Sequence, residues 1–142
     1  MGQTARGIDD VRERFERSEF HSSWLGLRLE RVVPGEVDVS MDVLAHHLNL
    51  MGTLHGGMIA TLADTATGLA LRSTLDEGLT FTTTHLGVTF LAPGRGGRVL
   101  ARGRLVKGGR RFAYAEADVV DERDRLLARA TATFAIMAEP DQ

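Results

Sequence analysis

The chain has 142 residues, a formal net charge of -2 at pH 7 and no cysteine. This length suits one domain over residues 1–142, and the nearly balanced charge lacks the broad basic surface expected of a nucleic-acid-binding protein. The lack of cysteine excludes disulfide bonds, a thiolate nucleophile and cysteine-bound zinc. No segment has the length and apolarity of a signal peptide or of a membrane span, so we expect a cytoplasmic protein with no membrane partner.

A short amphipathic helix is predicted over about residues 8–19, ahead of a core that spans about residues 24–137. Ile8, Val11 and Phe15 recur at helical spacing among charged neighbours. The apolar stripe of this helix is expected to cover the main body of the domain.

Two strands and a long central helix come next in the chain. Apolar and polar residues alternate on both sides of Pro34-Gly35, which is typical of two strands joined by a turn. The central helix is predicted to begin at His55 or Gly56, and the segment 76–78 is predicted to end it, with glycine near the position of a left-handed cap.

The central helix is apolar on one face and carries mostly small residues on the other, so that this second face is nearly smooth. At 100° per residue, Leu62 belongs to the apolar stripe and Asp64 lies almost opposite it. Small residues surround Asp64 on its own face, including Ala60 and Gly68. Because a solvated helix face normally carries lysine, glutamate and arginine, the small residues predict an interface or a binding groove.

Four further strands are predicted after the helix, within residues 80–91, 99–107, 111–120 and 126–137. The period of two places Thr83, His85 and Gly87 on one face of the first of these strands. In the last three strands, alanine and glycine dominate one face and complementary charges the other. We therefore expect an α+β domain in which an antiparallel sheet of about five to six strands wraps around one long helix.

The segment 47–66 carries distinctive residues at defined spacing, namely His47-Leu48-Asn49, Gly52, His55-Gly56-Gly57 and Asp64-Thr65-Ala66. In order and spacing this segment resembles the hot-dog-fold acyl-CoA thioesterases of the phenylacetate-degradation (PaaI-type) branch. The resemblance extends over the strand pattern of about residues 24–137. It implies the hot-dog fold and hydrolysis of an acyl-CoA to free acid and CoA, with no cofactor and no metal.

The resemblance assigns catalytic roles to five positions. Gly56 corresponds to the glycine whose N–H polarises the thioester carbonyl, and the unpaired first amides and the dipole of a helix favour an oxyanion there. Asp64 corresponds to an acid that either attacks the carbonyl or activates water, and the sequence leaves both roles open. Asn49 would hold the attacking water or the thioester, His55 would shape the oxyanion site, and Thr83 would lie near the acid.

Asp64 and Gly56 are separated by eight helical residues, or about 12 Å. One Asp64 is therefore not expected to serve the Gly56 of its own chain. The resemblance implies that the acid comes from the partner subunit of a homodimer. We expect a homotetramer built as a dimer of dimers, and the sequence leaves a homodimer as the alternative assembly.

A second set of residues is assigned to substrate binding. This set comprises His47, Gly57, His85, Lys107, Arg110 and Arg111. The three basic residues lie at a turn between strands and suit CoA phosphates, although a solvated hairpin tip would have the same composition. The acyl group is expected to be aryl or medium-chain.

Other interpretations of the same residues stay open. A hot-dog enoyl-CoA hydratase or dehydratase and a non-catalytic acyl-CoA-binding protein would use the same pocket. Asp64 could instead form an interfacial ion pair, and Gly56-Gly57 could serve tight packing. The spacing of His46, His47 and His55 fits no common metal site, so no metal is expected.

Overall fold

The structure is a computed structural model that describes residues 3–141. Its helices are α1 (Gln3–Arg17) and α2 (Gly56–Arg72), with a π-helical turn at Glu19–Trp24 and a 3-10 turn at Ala45–His47. Its strands are β1 (Leu27–Val33), β2 (Glu36–Asp42), β3 (Leu79–Phe90), β4 (Arg98–Gly108), β5 (Phe112–Asp121) and β6 (Leu126–Ala138).

All six strands form one antiparallel sheet in the order β1-β2-β4-β5-β6-β3. β3 follows α2 in the chain but pairs with β6 at one edge of the sheet, and β1 forms the other edge. The sheet curves around α2, which packs against β2, β3, β4, β5 and β6. This arrangement confirms the predicted α+β architecture with a short N-terminal helix.

Small side chains let the sheet approach α2 closely, as predicted. Ala101, Ala115 and Ala117 are completely buried on the concave face. A Cβ on Gly103 would overlap the carbonyl of Ala66, so β4 and α2 meet backbone to backbone at this point.

The outer face of the sheet carries the predicted cross-strand ion pairs. Arg104 lies 2.7 Å from Glu116, and Arg129 lies 2.8 Å from Asp118. Through this bond the guanidinium of Arg129 lowers the pKa of Asp118 below its usual value. These pairs keep the outer surface polar while the concave face stays apolar.

α2 is buried over more of its circumference than the sequence pattern predicts. Gly68, which was expected on an open smooth face, is buried, and its Cβ position lies 3.3 Å from the ring of Phe81 on β3. Leu71 on the same face is 2% exposed. Small size at Gly68 therefore serves the packing of this chain's own sheet, and only the part of that face around Ala60 and Asp64 is half-open.

Both helices also differ from the prediction at their ends. α1 begins at Gln3 rather than near residue 8, and it ends at Arg17. Position 7, inside α1, needs a glycine because a Cβ there would overlap the carbonyl of Ser73. α1 therefore packs directly on the end of α2. α2 ends at Arg72, and the Ser73 hydroxyl donates to the carbonyl of Ala70 at 2.7 Å.

A β-bulge in β3 reverses the facing of the second half of that strand. Thr83 pairs with the buried Phe134 and faces α2, whereas His85 pairs with Thr133 on the outer face. Thr84 is the extra residue, and its hydroxyl donates to the carbonyl of Thr133 at 3.1 Å. The prediction that Thr83, His85 and Gly87 share one face is therefore wrong.

Candidate active site

The N-terminus of α2 leaves one backbone amide free. His55 is the N-cap, and its Nδ1 accepts a hydrogen bond from the Gly57 N–H at 2.8 Å. Its carbonyl accepts from the N–H groups of Met58 and Ile59 at 2.9 and 3.3 Å. Within residues 3–141, the Gly56 N–H alone among these first four amides has no hydrogen-bond partner. This amide can donate to an oxygen that gains negative charge, with the helix dipole in support.

Gly56 opens onto a cavity of about 380 Å³. Leu54, Ile59 and Phe90 line this cavity together with residues 91–94. The Phe90 ring lies 3.2 Å from the position that a Cβ on Gly56 would occupy, so a glycine lets the ring reach the helix start. The cavity can therefore hold an acyl group whose carbonyl reaches the free amide.

Asn49 also lies on the wall of this cavity. Its side-chain oxygen accepts from the N–H groups of Met51 and Thr53 at 2.9 and 3.1 Å. Its Nδ2 donates to the Thr53 hydroxyl at 2.9 Å. The Asn49 side chain thus holds the loop before α2 in shape, and its expected contact with water or thioester stays a prediction.

Asp64 lies half-buried in the middle of α2. Its Oδ1 accepts a hydrogen bond from the Thr83 hydroxyl at 2.9 Å, and Thr83 lies immediately before the bulge in β3. Its Oδ2 has no hydrogen-bond donor in the described part of the chain. One carboxylate oxygen is therefore oriented, and the other is free to act on a ligand.

Asp64 does not line the cavity at Gly56. The separation of eight residues along α2 corresponds to about 12 Å, which is too long for both groups to act on one carbonyl. The structure thus brings Thr83 to Asp64 and Asn49 to Gly56, in two separate parts of the chain.

His47 is only 2% exposed and lies behind the loop before α2. Its Nδ1 accepts a hydrogen bond from the Leu44 N–H at 3.0 Å. Burial lowers the pKa of His47 below its ordinary value, the adjacent His46 adds to this effect, and the carbonyls of Asp42 and Leu25 oppose it. In this chain His47 supports the loop, and its contact with substrate stays a prediction.

His85 is exposed on the outer face of β3, with Gly87 beside it. Asp64 lies on α2, which the inner face of the sheet surrounds, and His85 lies on the outer face. The structure therefore does not bring His85 together with Asp64. Gly57 is exposed at the start of α2, where its N–H is bound by His55.

Lys107, Arg110 and Arg111 are exposed around the connection from β4 to β5. None of the three forms an ion pair with a residue that the structure describes. Arg98, by contrast, lies 3.3 Å from Asp42. The three unpaired cations are therefore available to phosphate groups.

One residue that is affected by the charge of Asp64 carries no signal in the sequence. His21 lies in the π-helical turn after α1, outside the motif that contains Asp64. Burial lowers the pKa of His21, and the charge of Asp64 opposes that shift. A histidine in a polar stretch of serines has no spacing that connects it with an acid 43 residues later.

A sequence model of the thioesterase superfamily matches residues 51–128, more than half of the chain. The chain belongs to the thioesterase superfamily. Acyl-coenzyme A thioesterase 13 of Homo sapiens is 30% identical over 97 residues, which cover 68% of this chain and 69% of that protein. The residues matched by the superfamily model include Gly56, Asp64 and Thr83, whereas Asn49 lies outside them.

Solved structures of this superfamily show the same fold. A thioesterase family protein from Silicibacter pomeroyi superposes with a TM-score of 0.87 at 32% identity, over 96% of this chain and 99% of that one. The PaaI protein of E. coli, from the phenylacetic acid degradation operon, superposes with a TM-score of 0.88 at 22% identity, over 96% and 97% of the two chains. The predicted hot-dog fold is confirmed.

Two negative findings apply to residues 3–141. None of their helices is both long enough and apolar enough to cross a membrane. No three histidine, aspartate or glutamate side chains in this range are grouped as metal ligands would be.

Proposed function

We propose that this thioesterase hydrolyses acyl-CoA to a free acid and CoA. The observation that carries the proposal is the free Gly56 N–H at the start of α2, beside a cavity that can take an acyl group. The name of the human relative supports acyl-CoA as the substrate class. An aryl or medium-chain acyl group is proposed for the cavity, since leucine, isoleucine and phenylalanine line it.

The proposed chemistry places charge where the site can stabilise it. As the carbonyl carbon is attacked, the carbonyl oxygen gains negative charge and accepts a hydrogen bond from the Gly56 N–H. Asp64 acts through its free Oδ2 while Thr83 holds Oδ1. As a general base Asp64 takes a proton from water, whereas as a nucleophile it forms an anhydride that water then opens. In both cases the carbon–sulfur bond breaks and CoA leaves.

Each proposed site combines two chains, because Asp64 lies about 12 Å along the helix from its own Gly56. An apolar rim beside the cavity supports this assembly: Leu50, Met51, Phe90 and Leu91 are all more than half exposed. β3 adds an unpaired strand edge next to Asp64. We therefore propose a homodimer, with a homotetramer as a dimer of dimers.

Substitution of Asp64 by Asn tests the proposed activity. Without the carboxylate, thiol release from phenylacetyl-CoA or octanoyl-CoA is expected to fall by about 10²–10⁴ in kcat. Asp9→Asn, an exposed carboxylate on α1, serves as the control and should keep wild-type turnover. Full activity of a folded Asp64→Asn protein would refute the role of Asp64.

The same assay separates the other functions. Hydration of crotonyl-CoA without thiol release would identify a hydratase. Saturable binding of acyl-CoA with no turnover of aryl, short-chain or medium-chain thioesters would identify a binding protein.

A further inference from the structure

Phe90 is the part of the cavity wall that lies against the start of α2. Its Cε1 and Cζ atoms are each 3.2 Å from the position of a Cβ on Gly56, and its Cδ1 is 3.9 Å from that position. A Cβ lies about 2.5 Å from its own backbone nitrogen, so the far edge of the ring is within about 6 Å of the Gly56 nitrogen. The free amide of the proposed oxyanion site therefore has an aromatic ring beside it.

Much of the remaining wall is fixed by the body of the domain. Leu54 and Ile59 are buried in the main hydrophobic core. The Leu54 N–H donates to the carbonyl of Gly94 at 2.8 Å, and the Leu91 N–H donates to the carbonyl of Leu127 at 2.8 Å. These parts of the wall cannot move without loss of hydrogen bonds or of core packing.

The side chain of Phe90 is held less tightly than this wall. Phe90 is the last residue of β3, where its backbone pairs with Ala128. Its side chain is 55% exposed, although the outer ring atoms reach Gly56. The two side-chain torsions of a phenylalanine decide where its ring lies. The room beside the Gly56 amide therefore depends on this one ring.

In the proposed reaction, the carbon next to the thioester carbonyl, the α carbon, enters the same space. A carbonyl oxygen that accepts from the Gly56 N–H lies about 2.9 Å from the nitrogen, and the α carbon lies about 2.4 Å from that oxygen. The α carbon and the ring edge are thus both within about 6 Å of one nitrogen, while carbon atoms pack at about 3.5–4.0 Å. A CH₂ group leaves more clearance beside the ring than a carbon with a further substituent.

We propose that Phe90 is a specificity-determining residue, which restricts hydrolysis to acyl groups with an unbranched α carbon. This inference rests on the proposed acyl-CoA hydrolysis and on the proposed contact between the thioester carbonyl and the Gly56 N–H. Linear acyl groups, and aryl groups joined to the carbonyl through a CH₂ group, meet this condition. A methyl branch on the α carbon, or an aromatic ring bound directly to the carbonyl, meets the Phe90 ring and slows turnover.

The test compares three isomeric substrates: octanoyl-CoA, an isomer with a methyl branch on the α carbon, and an isomer with a methyl branch at the far end of the chain. The kcat/KM for thiol release is measured for all three with one protein preparation, so loss of folded or assembled protein cancels from each ratio. Octanoyl-CoA should exceed the α-branched isomer by about tenfold or more, because one methyl group in an apolar pocket changes kcat/KM by about 10–200-fold. The far branch should have a much smaller effect.

Two variants of Phe90 remove the ring atoms that reach Gly56. Phe90→Leu lacks Cε1 and Cζ but keeps a branched apolar side chain, so the preference for octanoyl-CoA over the α-branched isomer should fall by about tenfold. Phe90→Ala should lower this preference at least as far, and it decides alone if Phe90→Leu does not fold. Phe112→Leu makes the same change in an exposed phenylalanine that does not line this cavity, and it should keep the wild-type preference.

The outcomes distinguish this proposal from the proposed function. Thiol release with equal kcat/KM for octanoyl-CoA and its α-branched isomer in the wild type would overturn the role of Phe90 and leave the function standing. The same holds if Phe90→Leu and Phe90→Ala retain the wild-type preference. A wild-type protein that releases no thiol from any acyl-CoA would overturn both.

Discussion

The buried ring of His47 makes the free energy of unfolding depend on pH. Burial lowers its pKa in the folded chain from the ordinary value of 6.5, so below that pH the unfolded chain binds more protons than the folded one. The free energy of unfolding should therefore be highest above about pH 6.5 and should fall as the pH drops below it. His21, whose pKa is also lowered, contributes in the same direction.

Replacement of His47 should weaken this pH dependence. Urea unfolding of His47→Gln is expected to change less than that of the wild type between about pH 7.5 and about pH 5.5. His46→Gln, in which the neighbouring exposed ring is changed, should keep most of the wild-type dependence. A slope in His47→Gln equal to that of the wild type would contradict the assignment.

Local motifs made part of the site predictable residue by residue. His55 and Gly56 could be placed because capping depends on a few adjacent residues, and Gly56 begins α2 as expected. Thr83 was assigned through the resemblance, because the composition of β3 does not by itself separate it from its neighbours Thr82 and Thr84. His21 was missed because the charge of Asp64 acts on it only in the folded chain.

The contact between α2 and β4 determines how tightly the sheet wraps the helix. Gly103→Ala would force its Cβ into the backbone of Ala66, where no flexible side chain can yield. We expect a loss of about 1–3 kcal/mol in the free energy of unfolding, measured in urea. In the control Gly108→Ala, the nearest atom is Leu105 Cδ2 at 3.5 Å, an ordinary contact, and little change is expected. Equal stabilities of these two variants would contradict the close approach.

Periodicity gave the number and type of elements but not their exact faces and ends. The alternation of small residues correctly predicted a sheet around a helix, since one face of β4, β5 and β6 is buried against α2. A strict period of two cannot anticipate a bulge, so His85 was placed on the wrong side relative to Thr83. Gly68 was assigned to an open face because small size alone does not say which neighbour approaches.

At the scale of the whole molecule, the two halves of the site lie apart in one chain. Gly56 with its cavity and Asp64 with Thr83 are each formed within this one chain. The sequence suggested a second chain through the distance between Gly56 and Asp64 and through the small residues around Asp64, but it could not show how two chains would meet. The exposed apolar rim at Leu50 and Met51 is consistent with this assembly.

Mixed dimers test the two-chain site directly, using one chain that lacks the amide and one that lacks the acid. Gly56→Pro removes the N–H at the first helical position, where proline is tolerated, and the extended His55 suits a following proline. Gly56→Ala is the matched control, because it keeps the N–H and adds the same Cβ beside Phe90. Each substituted chain should be inactive as a homodimer when it carries Gly56→Pro or Asp64→Asn, whereas Gly56→Ala should retain activity.

The decisive measurement is thiol release by the purified dimer of one Gly56→Pro chain and one Asp64→Asn chain. If each site takes Gly56 from one chain and Asp64 from the other, this dimer has one intact site and one with both groups replaced. It should recover about half of the wild-type turnover per dimer. Turnover no higher than that of the two inactive homodimers would contradict the account.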